Sequence, residues 1–180
     1  MCTYLLRMLF LLLLFFAPGY GVATVGAAEP AEIKAAFLTN FARFTTRLED
    51  EGQLLTICFP SVAEPVGSAM VRRQDAVEKG GRLLVRRGVE LHSLPQCGIV
   101  YLSDEDAYRL GEIITELHKG GVLTVSDQRG FTASGGMIEL FAEGNKYRFM
   151  ANLDAVKTAG LKINARILAL ARDARGSDDR

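Results

Sequence analysis

The sequence predicts one α/β domain, a mixed and mostly parallel sheet with flanking helices and a C-terminal antiparallel hairpin. Three observations predict it. Short apolar runs recur along the chain, at Leu54–Phe59, Gly98–Ser103 and Val122–Ser126; such runs suit strands buried on both faces. Segments with apolar residues three and four apart alternate with them, as helices alternate with parallel strands. The last third then switches to period-two alternation around a glycine-containing link, which marks a hairpin.

The elements follow in order. Ile33, Phe37, Phe41, Phe44 and Leu48 share one face of a helix over 31–48. Leu54–Phe59, bounded by Gly52 and Pro60, is the first strand. Ser61 is a candidate cap for a following helix, with Glu64 at the capping-box position. Arg82–Arg87 and Gly98–Ser103 read as strands. Asp104 is positioned to cap a helix whose apolar face is Leu110, Ile113, Ile114 and Leu117. Val122–Ser126 is the next strand, and Met137–Ala142 and Lys146–Met150 flank Glu143-Gly144-Asn145 as a hairpin. Asn152 caps a short helix ending near Gly160, and a final helix carries Ile167, Leu168, Leu170 and Ala171.

Residues 1–28 are expected to be a signal peptide. Arg7 is the only charge before Glu29, an apolar block from Met8 to Ala17 ends at Pro18-Gly19, and Val25-Gly26-Ala27-Ala28 offers cleavage after Ala27 or Ala28. The alternative is a retained membrane anchor. Residues 29–174 are then the folded domain and 175–180 a polar tail. Without the leader two cysteines remain, Cys58 and Cys97. In an exported chain that pair is the arithmetic of one disulfide, against two buried free thiols.

Composition narrows the function. The chain has 21 basic and 21 acidic residues, so its charge gives no reason to expect a nucleic-acid partner. Two histidines, His92 and His118, are too few for a His-rich metal cluster. No GxGxxG, Walker A, HExxH, CxxC or GxSxG motif occurs. Gly135 and Gly136 permit a bend before the hairpin rather than serving Ser134 as a nucleophile. Arg72, Arg73, Lys79, Arg82, Arg86 and Arg87 outweigh Asp75 and Glu78, either as an attractive patch or as an arginine-protected strand edge. Asp127 follows a parallel strand, where α/β sheets place ligands, or else it stabilises a turn.

The chain resembles the YfiR family of small exported proteins. The resemblance runs through Ile33–Phe44, Leu55–Cys58, Gly81–Val85, Cys97–Leu102 and Val122–Asp127 with Gly130-Phe131. It continues through Gly135–Ile138, Arg148-Phe149 with Asn152, and Gly160–Ile163 leading to Leu168–Ala171, covering residues 32–172. Thr45–Glu49 stands where the family usually has Trp-Pro, and a second cysteine pair of some members is missing. The resemblance implies a periplasmic α/β protein without catalytic activity or cofactor. Its implied partner is the periplasmic region of an inner-membrane diguanylate cyclase, which it represses. Some members also work beside an outer-membrane lipoprotein that sequesters them. Cys58 and Cys97 fall where the family has a disulfide.

The expectation is therefore a binding repressor, with a homodimer as its assembly. The hairpin residues Met137, Ile138, Glu139, Tyr147, Arg148 and Phe149 are its expected docking patch, against their alternative as core. A periplasmic small-ligand binder with a site at Asp127 is the competing function.

Overall fold

A computed structural model describes residues 29–47, 55–77 and 83–176. The leader, Leu48, Leu54, the Glu78–Arg82 part of the basic run and residues 177–180 lie outside the described residues.

Helix α1 spans Pro30–Phe44, and its tail passes into a short strand β1, Thr45–Arg47. The helix was expected to reach 48. It stops at Phe44 because β-branched Thr45 and Thr46 pair antiparallel with Ile163 and Lys162. Strand β2 is Leu55–Phe59, helix α2 Pro65–Val77 and strand β3 Leu83–Arg87. The cap of α2 is not Ser61. Glu64 immediately precedes the helix, and its carboxylate accepts the Gly67 N–H at 2.7 Å. Ser61 closes a local turn instead, accepting from Ala63 N–H at 3.2 Å.

A 3₁₀ segment, Leu91–Gln96, leads into β4, Ile99–Leu102. A second, Asp104–Arg109, runs into helix α3, Leu110–Lys119. Its cap is Ser103 rather than Asp104, in a reciprocal capping box with Asp106. Strands β5 (Leu123–Ser126), β6 (Ile138–Glu143) and β7 (Lys146–Asn152) follow. Helix α4 is Leu153–Thr158, with Asn152 as the expected cap. The final helix is cut to α5, Ala165–Leu168, between strands β8 (Leu161–Ile163) and β9 (Asp173–Arg175). Leu170 and Ala171 lie beyond it, and Arg175 belongs to a strand rather than to the tail.

The main sheet has order β3-β2-β4-β5-β6-β7-β9. Pairing is parallel from β3 to β6, antiparallel between β6 and β7, and parallel from β7 to β9. Strands β1 and β8 form a separate two-stranded ladder.

Period-two alternation divides the core between the sheet's faces. Ile57, Phe59, Ile99, Tyr101, Leu123, Val125, Ile138, Leu140 and Phe149 pack beneath α1, α2, α4 and α5. Cys58, Val100 and Leu102 point the other way, toward Leu94, Ile113, Ile114, Leu117 and Phe131. The glycine pair bends the chain before β6 as expected. Gly135 has φ of +98°, and a Cβ on Gly136 would sit 2.2 Å from the Phe131 ring.

Candidate functional site

The expected docking patch divides along the pleat of the hairpin. Met137, Ile138 and Phe149 are fully buried in the larger core cluster. As docking residues they are corrected: α1 covers the face of β6 and β7 on which Ile138 and Phe149 stand, and Met137, just before β6, is buried in the same cluster. Phe149 meets Phe41 edge-on at 5.2 Å and Phe37 at 6.0 Å. Glu139 points to the opposite face and is also buried. Its carboxylate accepts Gly130 N–H at 3.0 Å and Thr132 N–H and Oγ1–H at 3.1 Å. It is a strut for the 127–136 loop rather than a contact for a partner. Only Tyr147 and Arg148 are partly accessible.

The uncovered face of β6, β7 and β9 borders an open groove of about 930 Å³. Met150, Asn152, Arg129, Thr132, Asp173 and Arg175 line it. Arg148 lies at one side, donating to Glu143 at 3.2 Å, and Arg172 donates to the other Glu143 oxygen at 3.0 Å.

On the helix-covered side, the carboxyl ends of β2, β4 and β5 bring together Glu64, Tyr101 and Asp127 with Lys34 of α1. Lys34 forms an ion pair with Asp127, both side chains largely sheltered. Its ammonium also stands 5.9 Å from the centre of the Tyr147 ring. Burial, reinforced by the facing Asp127 carboxylate, holds the Tyr101 phenol far above its ordinary range. Sequence reasoning singled out Asp127 but missed Lys34, Glu64 and Tyr101 as its neighbours. Lys34 interrupts the apolar face of α1, the one signal that could have suggested a buried partner.

Burial also raises the Glu64 carboxyl, against the lowering effect of the Val66 and Gly67 N–H groups. A folded-state value above the unfolded one means that the folded protein binds this proton more tightly. The stability it contributes is fully present below about pH 4.5 and is lost as pH rises through the folded value. Glu64→Gln keeps an oxygen for the Gly67 N–H but removes the titration. The change in urea midpoint from about pH 4.5 to about pH 7.5 is therefore expected to be more favourable in Glu64→Gln than in wild type. Identical midpoint changes in the two proteins would refute this role for Glu64.

Cys58 and Cys97 form a disulfide with a Cα separation of 6.1 Å. Both half-cystines are buried in the smaller core. The bridge ties the end of the Leu91–Gln96 segment to β2. The basic run resolves into structure as well. Glu32 of α1 accepts from Arg72 at 2.7 Å and from Arg73 at 3.2 Å, clamping α1 to α2. Those two hydrogen bonds hold the Glu32 carboxyl below its ordinary value. Arg86 is exposed on the edge strand β3, where a charge discourages further pairing.

Among the described residues no group of three or more His, Cys, Asp or Glu could hold a metal ion. No described helix is long and apolar enough to cross a membrane.

These features define a disulfide-tied α/β module with open surface grooves. The chain belongs to the YfiR/HmsC-like family (DUF4154), whose model matches residues 31–172. That family is one of periplasmic, non-catalytic regulators linked to diguanylate cyclase signalling. No curated protein matches the chain. Solved structures that share the fold include two with TM-scores above 0.5. A conserved domain protein from Vibrio cholerae O1 biovar El Tor has TM-score 0.55 and 10% identity, over 81% of this chain and 60% of that one. An ABC domain from Streptococcus pneumonia, in complex with L-Trp, has TM-score 0.53 and 9% identity, over 81% and 62%. The chain thus spans about three fifths of the length of each of these structures.

Proposed function

We propose that this protein is a periplasmic repressor of an inner-membrane diguanylate cyclase. It is exported by a cleaved leader, residues 1–28. It binds the periplasmic region of the cyclase and stabilises the inactive state, lowering cyclic di-GMP and biofilm formation. The observation that carries this reading is the family match across residues 31–172. Repression of this kind needs no reacting group. A ligand shifts a receptor toward the off state only by binding that state more tightly. Tyr147 and Arg148, the only partly accessible residues of the expected patch, are the proposed contacts that survive from the sequence. A homodimer and a sequestering outer-membrane lipoprotein complete the proposed scheme.

The test is cyclic di-GMP in a deletion strain and in the same strain re-expressing residues 1–180. Deletion is expected to raise the level and re-expression to restore it. An unchanged level, while the wild-type protein is being made, would refute the repressor reading.

A second reading, a small-ligand binder, is favoured by one observation. Asp127 lies at a strand carboxyl end beside Lys34 and Tyr101. A metabolite that raises the melting temperature of wild type but not of Asp127→Ala would support it.

A further inference from the structure

A different surface stands out on the side of the sheet covered by α3. Two concavities, of about 490 Å³ and 310 Å³, adjoin there and share Glu90, Leu91, Arg109 and Ile113. Leu91, Leu94, Ile113 and Leu117 give the larger one an apolar floor. The smaller opens at the carboxyl ends of β2 and β3 and beside the start of the segment after β4, through Pro60, Val89 and Glu105. Tyr108, at 82% exposure, stands on its rim, and Val62, at 63%, follows Ser61 of its wall. A lone exposed apolar residue is ordinary, but two beside one apolar-floored groove are what binding surfaces offer.

Charge says what kind of partner fits. Glu90, Glu105, Asp106, Glu112 and Glu116 line the groove, with Asp104 next to Glu105 in the chain, against Arg109 and His92, whose ring stands 3.3 Å from the Glu90 carboxylate. Arg109 is taken up by Glu112 at 3.1 Å and Lys119 by Glu116 at 2.8 Å. Asp104 and Glu105 have no ion-pair partner among the described residues. Arg86 and Arg87 lie at the far end, and Arg87 donates to the Val62 carbonyl. This acidic field belongs to one face of a chain whose total charge is zero.

We infer that this groove is a second protein-binding surface, occupied by a cationic amphipathic segment of a partner protein. Apolar side chains of the segment fill the Leu91–Ile113 floor, and its Arg or Lys residues meet the carboxylate rim. The inference is independent of the repressor reading and of the hairpin contacts. The disulfide supports this surface directly. Cys97 ends the 3₁₀ segment that supplies Leu91 and Leu94, and its N–H donates to the Leu94 carbonyl at 3.0 Å.

The test uses the mature protein and a fluorescein-labelled peptide of repeating Leu-Arg-Arg-Leu, with a Leu-Glu-Glu-Leu control, in fluorescence anisotropy. Wild type is expected to bind the cationic peptide, less tightly as salt rises, and to ignore the acidic one. Glu105→Lys/Glu112→Lys is expected to weaken binding by about tenfold or more, and Tyr108→Ala to weaken it as well. Glu29→Lys, an exposed change at the start of α1, is expected to bind as wild type does. Three results would overturn the inference: no binding by wild type, equal binding of the two peptides, or unchanged affinity in the double variant. A wild-type dimer that the double variant splits into monomers in sedimentation would also overturn it, assigning the groove to a second copy. Circular dichroism of each variant separates lost binding from lost fold.

Discussion

Replacing both Cys58 and Cys97 with Ala is expected to lower the unfolding free energy by about 4 kcal/mol. The two residues are 39 apart, and in the chain-entropy account a loop of that length gives roughly this value. Both sulfurs sit in the smaller core, so the substitution also leaves buried space unfilled beside Val100 and Leu94. With a urea dependence of about 2 kcal/mol per molar, the midpoint should fall by roughly 2 M. Reduction of wild type under native buffer should move the midpoint in the same direction. A shift of only a few tenths of a molar would mean that the bridge does little for stability, and a purely regulatory role would gain ground. A large shift makes the bridge structural. Any redox control of partner binding would then act by loosening the fold, beginning with the Leu91–Gln96 segment that Cys97 anchors.

The sequence carried the sheet well and its margins poorly. The runs Leu55–Phe59, Ile99–Leu102 and Leu123–Ser126 are strands because both faces of the parallel sheet are covered, and continuous apolar runs record that. The hairpin was legible from its alternation and its glycine link. Strands β1, β8 and β9 are three residues each. No periodicity can be read from three residues, and their pairing is decided by distant partners such as Thr45 with Ile163. The same limit explains the last helix. Ile167, Leu168, Leu170 and Ala171 have helical spacing, yet the chain turns after Leu168 so that β9 can pair with β7. At the caps, Glu64 and Ser103 displaced Ser61 and Asp104, because several candidate acceptors within a few residues cannot be ranked without backbone angles.

The candidate sites were legible only where local pattern sufficed. Alternation in 137–150 separates two sets of side chains but does not say which set a helix covers. Both sets contain apolar residues, Ile138 and Phe149 in one and Phe141 and Met150 in the other, so the choice rests on where α1 packs. The acidic groove was invisible for a related reason. Its walls come from Pro60-Ser61, Val89–Leu94 and Glu105–Leu117, segments that become neighbours only because β2, β3 and β4 are adjacent in the sheet.

Phe149→Ala is the substitution that most directly separates core from docking patch. Phe149 is 1% exposed, and its ring meets both Phe37 and Phe41 of α1 edge-on. Truncating a buried phenylalanine costs about 3–5 kcal/mol, from lost transfer energy and from the cavity left behind. The edge-to-face contact with Phe41 adds to the loss. Arg148, the preceding residue on the same strand, offers the matched control. Its ion pair with Glu143 is surface-exposed, so Arg148→Ala is expected to cost at most about 1 kcal/mol. Chemical denaturation of the two variants should therefore give midpoints far apart, although the substitutions are adjacent in sequence. If Phe149 acted on a partner instead of on the fold, its variant would denature like wild type and fail only in cyclic di-GMP repression. If Arg148 is a contact, its variant should show that second behaviour: normal denaturation with weakened repression. The opposite faces that these neighbours occupy are what the pleat imposes, and the experiment reads that separation as stability on one side and function on the other.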